Sequence, residues 1–412
     1  MSIVFGGFKK HAAPKRDADG VEKSVSPIDG AADTLCAVCL GEVTQNDVDK
    51  KNVFWGKCGH FGHAKCFESL TKCPECNEAF DRPAKLRRGD TTSLEARLIN
   101  AAARGDLENV RDLLERKAQI DARDPSGHTA LMAAAVNGRI EVIRMLAERR
   151  ANINALDDLG TSPLSFSASN QQLDAVKLLL ELGARVNVQS KFGRTALMSA
   201  STNYSISIVR LLLDAGANID LQDELGMTAL MYACRKRDRI DFYKVTVRQE
   251  DQVLVVQALL DAQQTNNIDM QSNIGFTALF YACDDGNTQV VQKLVDAGAN
   301  IHSTDYSYGN TALMYACGKG HASVIQQLVS NDNVNFQNKD GNTPLMIACQ
   351  KGHVPIVQIL LSAGARLDIK NNTLRNAVDV AYENNHMDVV EKLIESGGRR
   401  SKSARMLQWM RL

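Results

Sequence analysis

Eight side chains able to bind a metal fall between Cys36 and Cys76: Cys36, Cys39, Cys58, His60, His63, Cys66, Cys73 and Cys76. Their order is Cys-x2-Cys, then Cys-x-His-x2-His-x2-Cys, then Cys-x2-Cys. Thiolates and imidazoles are the ligands zinc prefers, four at a time in a tetrahedron, and two ligands on one tight turn fit a single ion. Eight ligands therefore imply two zinc ions. The competing reading is a set of buried or disulfide-bonded cysteines. Four ordered ligand pairs, in a chain with no secretion signal, favour zinc.

The ligand order resembles that of the RING finger, in the variant with histidine at the fourth and fifth positions. The resemblance implies interleaved sites: Cys36, Cys39, His63 and Cys66 around one ion, and Cys58, His60, Cys73 and Cys76 around the other. A PHD-type finger has cysteine as its fourth ligand and a single histidine as its fifth, which Cys58-x-His60-x2-His63 does not offer. RING fingers act as ubiquitin ligases by docking a ubiquitin-conjugating enzyme and holding its thioester in a reactive geometry, which is catalysis by positioning. The family's docking slots correspond here to Val38, Leu70 and Pro74. Three features depart from the family. The gap between Cys66 and Cys73 is short, Leu70 stands where many members have tryptophan, and Asn77 follows the last ligand where a cation is common. The alternative function is a non-enzymatic scaffold or adaptor in which the finger is only structural.

The rest of the chain bounds these readings. It has 412 residues, enough for two or more domains. Its 48 basic and 48 acidic residues cancel, which argues against bulk electrostatic binding to nucleic acid or anionic membrane. No apolar run approaches the roughly 18 residues of a membrane span. Met1–Phe8 is too short for a signal core and its lysines follow it, and Ser2 does not fit the myristoylation pattern. The expectation is an intracellular protein, cytoplasmic or nuclear. No nucleotide-binding or hydrolase motif stands out, since Gly318-Lys319-Gly320 lacks the Walker spacing.

Downstream the sequence repeats. A Gly-x-Thr-Ala-Leu-Met motif recurs with variation at Gly127, Gly160, Gly193, Gly226, Gly275, Gly309 and Gly341. A second marker, an aliphatic pair three apart, recurs from Val110/Leu113 to Val390/Leu393 and marks nine units. Period and signature resemble the ankyrin repeat, a turn followed by two antiparallel helices. The local chemistry agrees. Thr343-Pro344 and Ser162-Pro163 fit an N-cap followed by a first-turn proline. Gly183, Gly216, Gly298 and Gly364 fit left-handed C-caps. One unit alone cannot bury its apolar face, so neighbours must stack. The expected fold is mostly α: a small zinc-braced RING-like domain followed by an ankyrin-type helical solenoid.

The domain reading is a disordered tail at 1–33, the zinc finger at 34–80, a linker at 81–93, the solenoid at 94–398 and a basic amphipathic tail at 399–412. The first and last units are expected to lack the glycine turn. A charged insert around Arg237 to Gln252 breaks the period, as a helix extension, a surface loop or a partner contact. Phe192, Tyr306 and Tyr308 fall at turn tips, where large aromatics are candidate contacts for a protein substrate. Tyr232, Tyr281 and Tyr315 share a first-helix register and are expected to pack between units, as are the methionines at Met132, Met198, Met231, Met314 and Met346. Cys234, Cys283, Cys317 and Cys349 each lie six residues after a threonine and read as core. His321 and His353 keep a repeat register and are not read as ligands. The segment 399–412 reads as a frayed end, or as a short helix that docks on a partner or on the protein itself.

Overall fold

A computed structural model describes residues 53–55, 61–63, 93–235, 249–262 and 267–399. The chain divides near Ser93 into two units. In the first, β1 (Val53–Trp55) pairs antiparallel with β2 (Phe61–His63), with Val53 opposite His63 and Trp55 opposite Phe61. Valine and aromatics suit a pleated strand. His63, one of the eight candidate ligands, ends β2. The other seven zinc ligands, Cys58 and His60 among them, the docking slots Val38, Leu70, Pro74 and Asn77, and the tail at 1–33 lie outside the described residues.

From Ser93 onward the described residues form nine helix pairs. They begin with α1 (Leu94–Arg104) and α2 (Leu107–Glu115), α3 (Ala130–Val136) and α4 (Ile140–Glu148), and α5 (Pro163–Ser169) and α6 (Leu173–Glu181). Next come α7 (Ala196–Thr202) and α8 (Ile206–Asp214), α9 (Ala229–Cys234) and α10 (Gln249–Asp261), and α11 (Ala278–Asp285) and α12 (Thr288–Asp296). The last three pairs are α13 (Ala312–Lys319) and α14 (Ala322–Leu328), α15 (Pro344–Lys351) and α16 (Val354–Ser362), and α17 (Ala377–Glu383) and α18 (Met387–Glu395). First helices pack on first helices and second on second, which builds a two-layer solenoid.

The repeated residues explain the repeated structure. The side chains of Thr129, Ser162, Thr195, Thr228, Thr311 and Thr343 each accept the N–H three residues on, capping a first helix. Each such cap is worth about 1 kcal/mol. Thr277 is the exception: it makes no cap bond, and its buried hydroxyl oxygen is unpartnered. Pro163 and Pro344 open their helices, where a missing N–H costs nothing. Each second helix buries its aliphatic pair, and the five methionines of the first-helix register are buried too. Cys234, Cys283, Cys317 and Cys349 are fully buried, which raises their thiol pKa values and leaves them unreactive core residues.

At two places the structure goes beyond the repeat pattern. The end of the insert follows the helix-extension reading: Gln249–Gln252 form an added first turn of α10. Gln252 is held there by tertiary bonds: its amide donates to the Ala233 carbonyl at 3.0 Å and accepts from Asn287 Nδ2 at 2.8 Å. The last unit also keeps its turn. Leu374 occupies the glycine position with φ +62°, and Asn371 Oδ1 accepts the N–H groups of Thr373 and Arg375 at 3.1 and 3.0 Å.

A left-handed backbone costs an L-residue about 1–2 kcal/mol, and the exposed Leu374 side chain returns little of it. Leu374→Gly is expected to stabilise the solenoid by about 0.5–1 kcal/mol, net of the greater freedom glycine gives the unfolded chain. A higher urea midpoint with unchanged slope checks this, and a lower midpoint contradicts it.

Candidate functional site

The turns project from the solenoid as a row of fingers, each braced by a polar side chain. Asp157 Oδ1 accepts N–H groups from Leu159 and Thr161 at 2.9 and 2.6 Å. Asp223 does the same for Leu225 and Met227, and Asn338 for Asp340 and Asn342. Asp305 accepts from Tyr308 and Gly309 at 2.6 and 3.2 Å. These braces went unread in the sequence. Their signal was there: aspartate, asparagine or serine a few residues before each glycine, the residue types that bond their own backbone two residues on.

Neighbouring fingers are tied together through the main chain. The N–H of Lys191 donates to the Leu159 carbonyl, Glu224 to Phe192, Asn273 to Leu225, Tyr306 to Ile274 and Lys339 to Tyr308, over 2.7 to 3.1 Å. The residue before the glycine is therefore fixed in register from unit to unit. That residue is apolar in five successive fingers: Leu159, Phe192, Leu225, Ile274 and Tyr308. Leu225, Ile274, Tyr306 and Tyr308 are 55, 50, 56 and 58 % exposed. Of the three tip aromatics read from sequence, Tyr306 and Tyr308 stand out from the surface and Phe192 is half-buried.

Behind the fingers, the first-helix tyrosines pack as expected. The Tyr232 hydroxyl donates to Asp223 Oδ2 at 2.5 Å, and Arg194 lies over the ring at 4.5 Å from its centroid. The Tyr315 hydroxyl reaches Asp305 Oδ2 at 3.4 Å. Phe276 stacks on Phe280 at 5.1 Å and meets Tyr281 and Tyr315 edge-on. Burial pushes the pKa values of Tyr232, Tyr281 and Tyr315 up, so none is poised for acid–base chemistry near neutrality. Burial also works to raise the Asp157 carboxyl, but His128 and the N–H groups of Thr161 and Leu159 outweigh it and hold it below the ordinary value. These interactions brace the fold and set up no reaction.

The repeated histidines are structural. The His321 ring bonds the Asp284 carbonyl at 3.0 Å, and His353 bonds that of Gly318 at 3.4 Å. Each reaches back from the start of a second helix to a carbonyl near the end of the preceding first helix, where helical carbonyls lack partners. His386 makes the same bond to Gln350 and Arg139 to Ala103, while Gln252, in the same register, bonds Ala233 of its own unit instead. The ring fits because the facing residue is glycine: a Cβ on Gly286 would lie 2.5 Å from His321 Nδ1. Among the described residues, no cluster of three or more His, Cys, Asp or Glu side chains is gathered for a metal.

The family model for ankyrin repeats (3 copies) matches residues 98–190, 182–245, 244–335 and 319–403. The chain belongs to the ankyrin-repeat family. No curated protein matches it. Ankyrin repeats imply protein partners. No helix among the described residues is long and apolar enough to cross a membrane.

Proposed function

We propose that the chain is a RING-type ubiquitin ligase, whose zinc finger recruits a ubiquitin-conjugating enzyme while the ankyrin solenoid holds a protein substrate. The observation that carries this reading is the ligand order from Cys36 to Cys76. Six thiols and two imidazoles, mostly paired within a few residues, match the soft and borderline donors zinc selects. Cys36, Cys39, His63 and Cys66 would hold one ion, and Cys58, His60, Cys73 and Cys76 the other. The ions' contribution is to fix the loops that bear Val38, Leu70 and Pro74. Those side chains form the docking surface, and the chemistry stays with the thioester of the bound enzyme.

Asn77 and the short Cys66–Cys73 gap favour a second reading, in which the finger is a structural module and the solenoid joins partners without ubiquitin transfer. Ubiquitin discharge separates the two. The intact, zinc-loaded chain is mixed with a panel of ubiquitin-loaded conjugating enzymes, and loss of the thioester to free lysine is followed. The ligase reading expects one or more enzymes to be accelerated, and Val38→Ala to slow that discharge about tenfold, as loss of roughly 1.4 kcal/mol of docking energy gives. No acceleration with any enzyme leaves the scaffold.

A further inference from the structure

The exposed finger edge around Ile274, Tyr306 and Tyr308 has no occupant within the described solenoid. The stretch of sequence that bears it is acidic. Residues 250–340 carry ten aspartates and glutamates against three lysines, Lys293, Lys319 and Lys339. All three are already engaged: Lys293 donates to Gln257 Oε1 at 2.5 Å, Lys319 pairs with Asp284 at 2.8 Å, and the Lys339 ammonium donates to the Tyr306 and Ser307 carbonyls. An aromatic edge in an acidic field fits a basic segment with large apolar side chains, through cation–π contact and burial.

The chain itself carries such a segment. Residues 400–412 contain Arg400, Lys402, Arg405 and Arg411 with no acidic residue, and Met406, Leu407, Trp409, Met410 and Leu412. The solenoid hands this segment over at its finger side. The Arg399 carbonyl accepts from Asn376 Nδ2 at 2.7 Å, and Asn376 caps α17 just after the last turn. Fingers of stacked units are spaced by about one helix-packing distance, ~10 Å, so the Tyr308 finger lies roughly 20 Å from the Leu374 finger. Thirteen residues span about 20 Å as a helix and more than 40 Å extended. Only the extended form reaches the Ile274 finger, one unit further on; a helix would end at the Tyr308 finger. The order of side chains also fits. The first cations pass the exposed Asp340 finger, and the apolar residues arrive at Tyr308, Tyr306 and Ile274.

We propose that residues 400–412 dock on the finger edge of the same chain, across Tyr308, Tyr306 and Ile274. The docked segment then competes with any protein partner for those fingers. This inference is independent of ubiquitin transfer and stands whether or not the finger is a ligase.

Trp409 reports the contact. Its emission is isolated by subtracting the spectrum of the Trp409→Phe chain, which leaves Trp55 in both. Acrylamide quenching is compared with that of a synthetic peptide of residues 400–412. Docking predicts several-fold weaker quenching in the intact chain. The triple variant Tyr306→Ser, Tyr308→Ser, Ile274→Ser should raise quenching to the peptide value. Arg400→Glu, Lys402→Glu, Arg405→Glu should do the same without altering the solenoid, and salt of about 0.5 M should weaken protection. Quenching equal to the free peptide in the intact chain overturns the proposal. So does protection that survives both variants, which places the segment elsewhere, or protection that disappears on dilution, which marks a second copy as the occupant.

Discussion

Chelation of zinc is expected to unfold the segment 34–80 and abolish ubiquitin discharge, while the helical signal of the solenoid stays nearly unchanged. A segment this short buries too little apolar surface to stand on its own core, so metal must supply the missing free energy. Structural zinc supplies about 10–16 kcal/mol per site at neutral pH. The solenoid depends on no such support. Its four cysteines are buried among aliphatic side chains, and its histidines bond backbone carbonyls. Released metal, measured with a colorimetric chelator, should amount to two ions per chain. Cys36→Ser and Cys73→Ser strike different ions in the interleaved arrangement, and each should cost the chain the ion it ligates. Stoichiometry near zero in freshly purified chain removes the zinc-braced finger and the ligase reading with it.

How far the sequence reached depended on whether the determining forces were local. Caps, left-handed glycines and aliphatic stripes are written within a few residues, so all nine helix pairs, the core methionines and the core cysteines were legible. Bonds between units were not. Gln252 reads as one more polar residue of a charged insert. Its place in α10 is set by Ala233 and by Asn287, which lies 35 residues away. His321 and His353 showed only a repeat register, because their partners lie 37 and 35 residues back. Leu374 was misread because a turn was equated with its glycine. The braces from Asn371 and the neighbouring finger's bond from Asn372 to Asp340 hold the turn without one. At the tips, the aromatic residues were legible, whereas the continuity of the apolar row needed the main-chain bonds that align one finger with the next.

The weakest coupling in the solenoid is expected at Phe280, and truncating it should split the unfolding transition. Phe280 takes the slot that methionine fills in neighbouring units and is fully buried against Phe276 and Tyr315. Its helix also lacks the threonine cap found elsewhere: the Phe280 N–H bonds the Thr277 carbonyl, and the Thr277 hydroxyl is left without a partner. Phe280→Ala removes a large buried ring that the neighbouring rings only partly replace, which costs about 3–5 kcal/mol. In a stacked array that loss falls on one unit and its two interfaces, because each repeat touches only its neighbours. The units before α11 and those after α12 should then unfold in separate steps, each with a smaller urea dependence than the parent's single step. Phe280→Met restores the common slot residue and should cost less than about 1.5 kcal/mol with cooperativity intact. If Phe280→Ala keeps one transition and loses less than that, then Phe276 and Tyr315 close over the cavity, and the aromatic cluster is more plastic than its stacking implies.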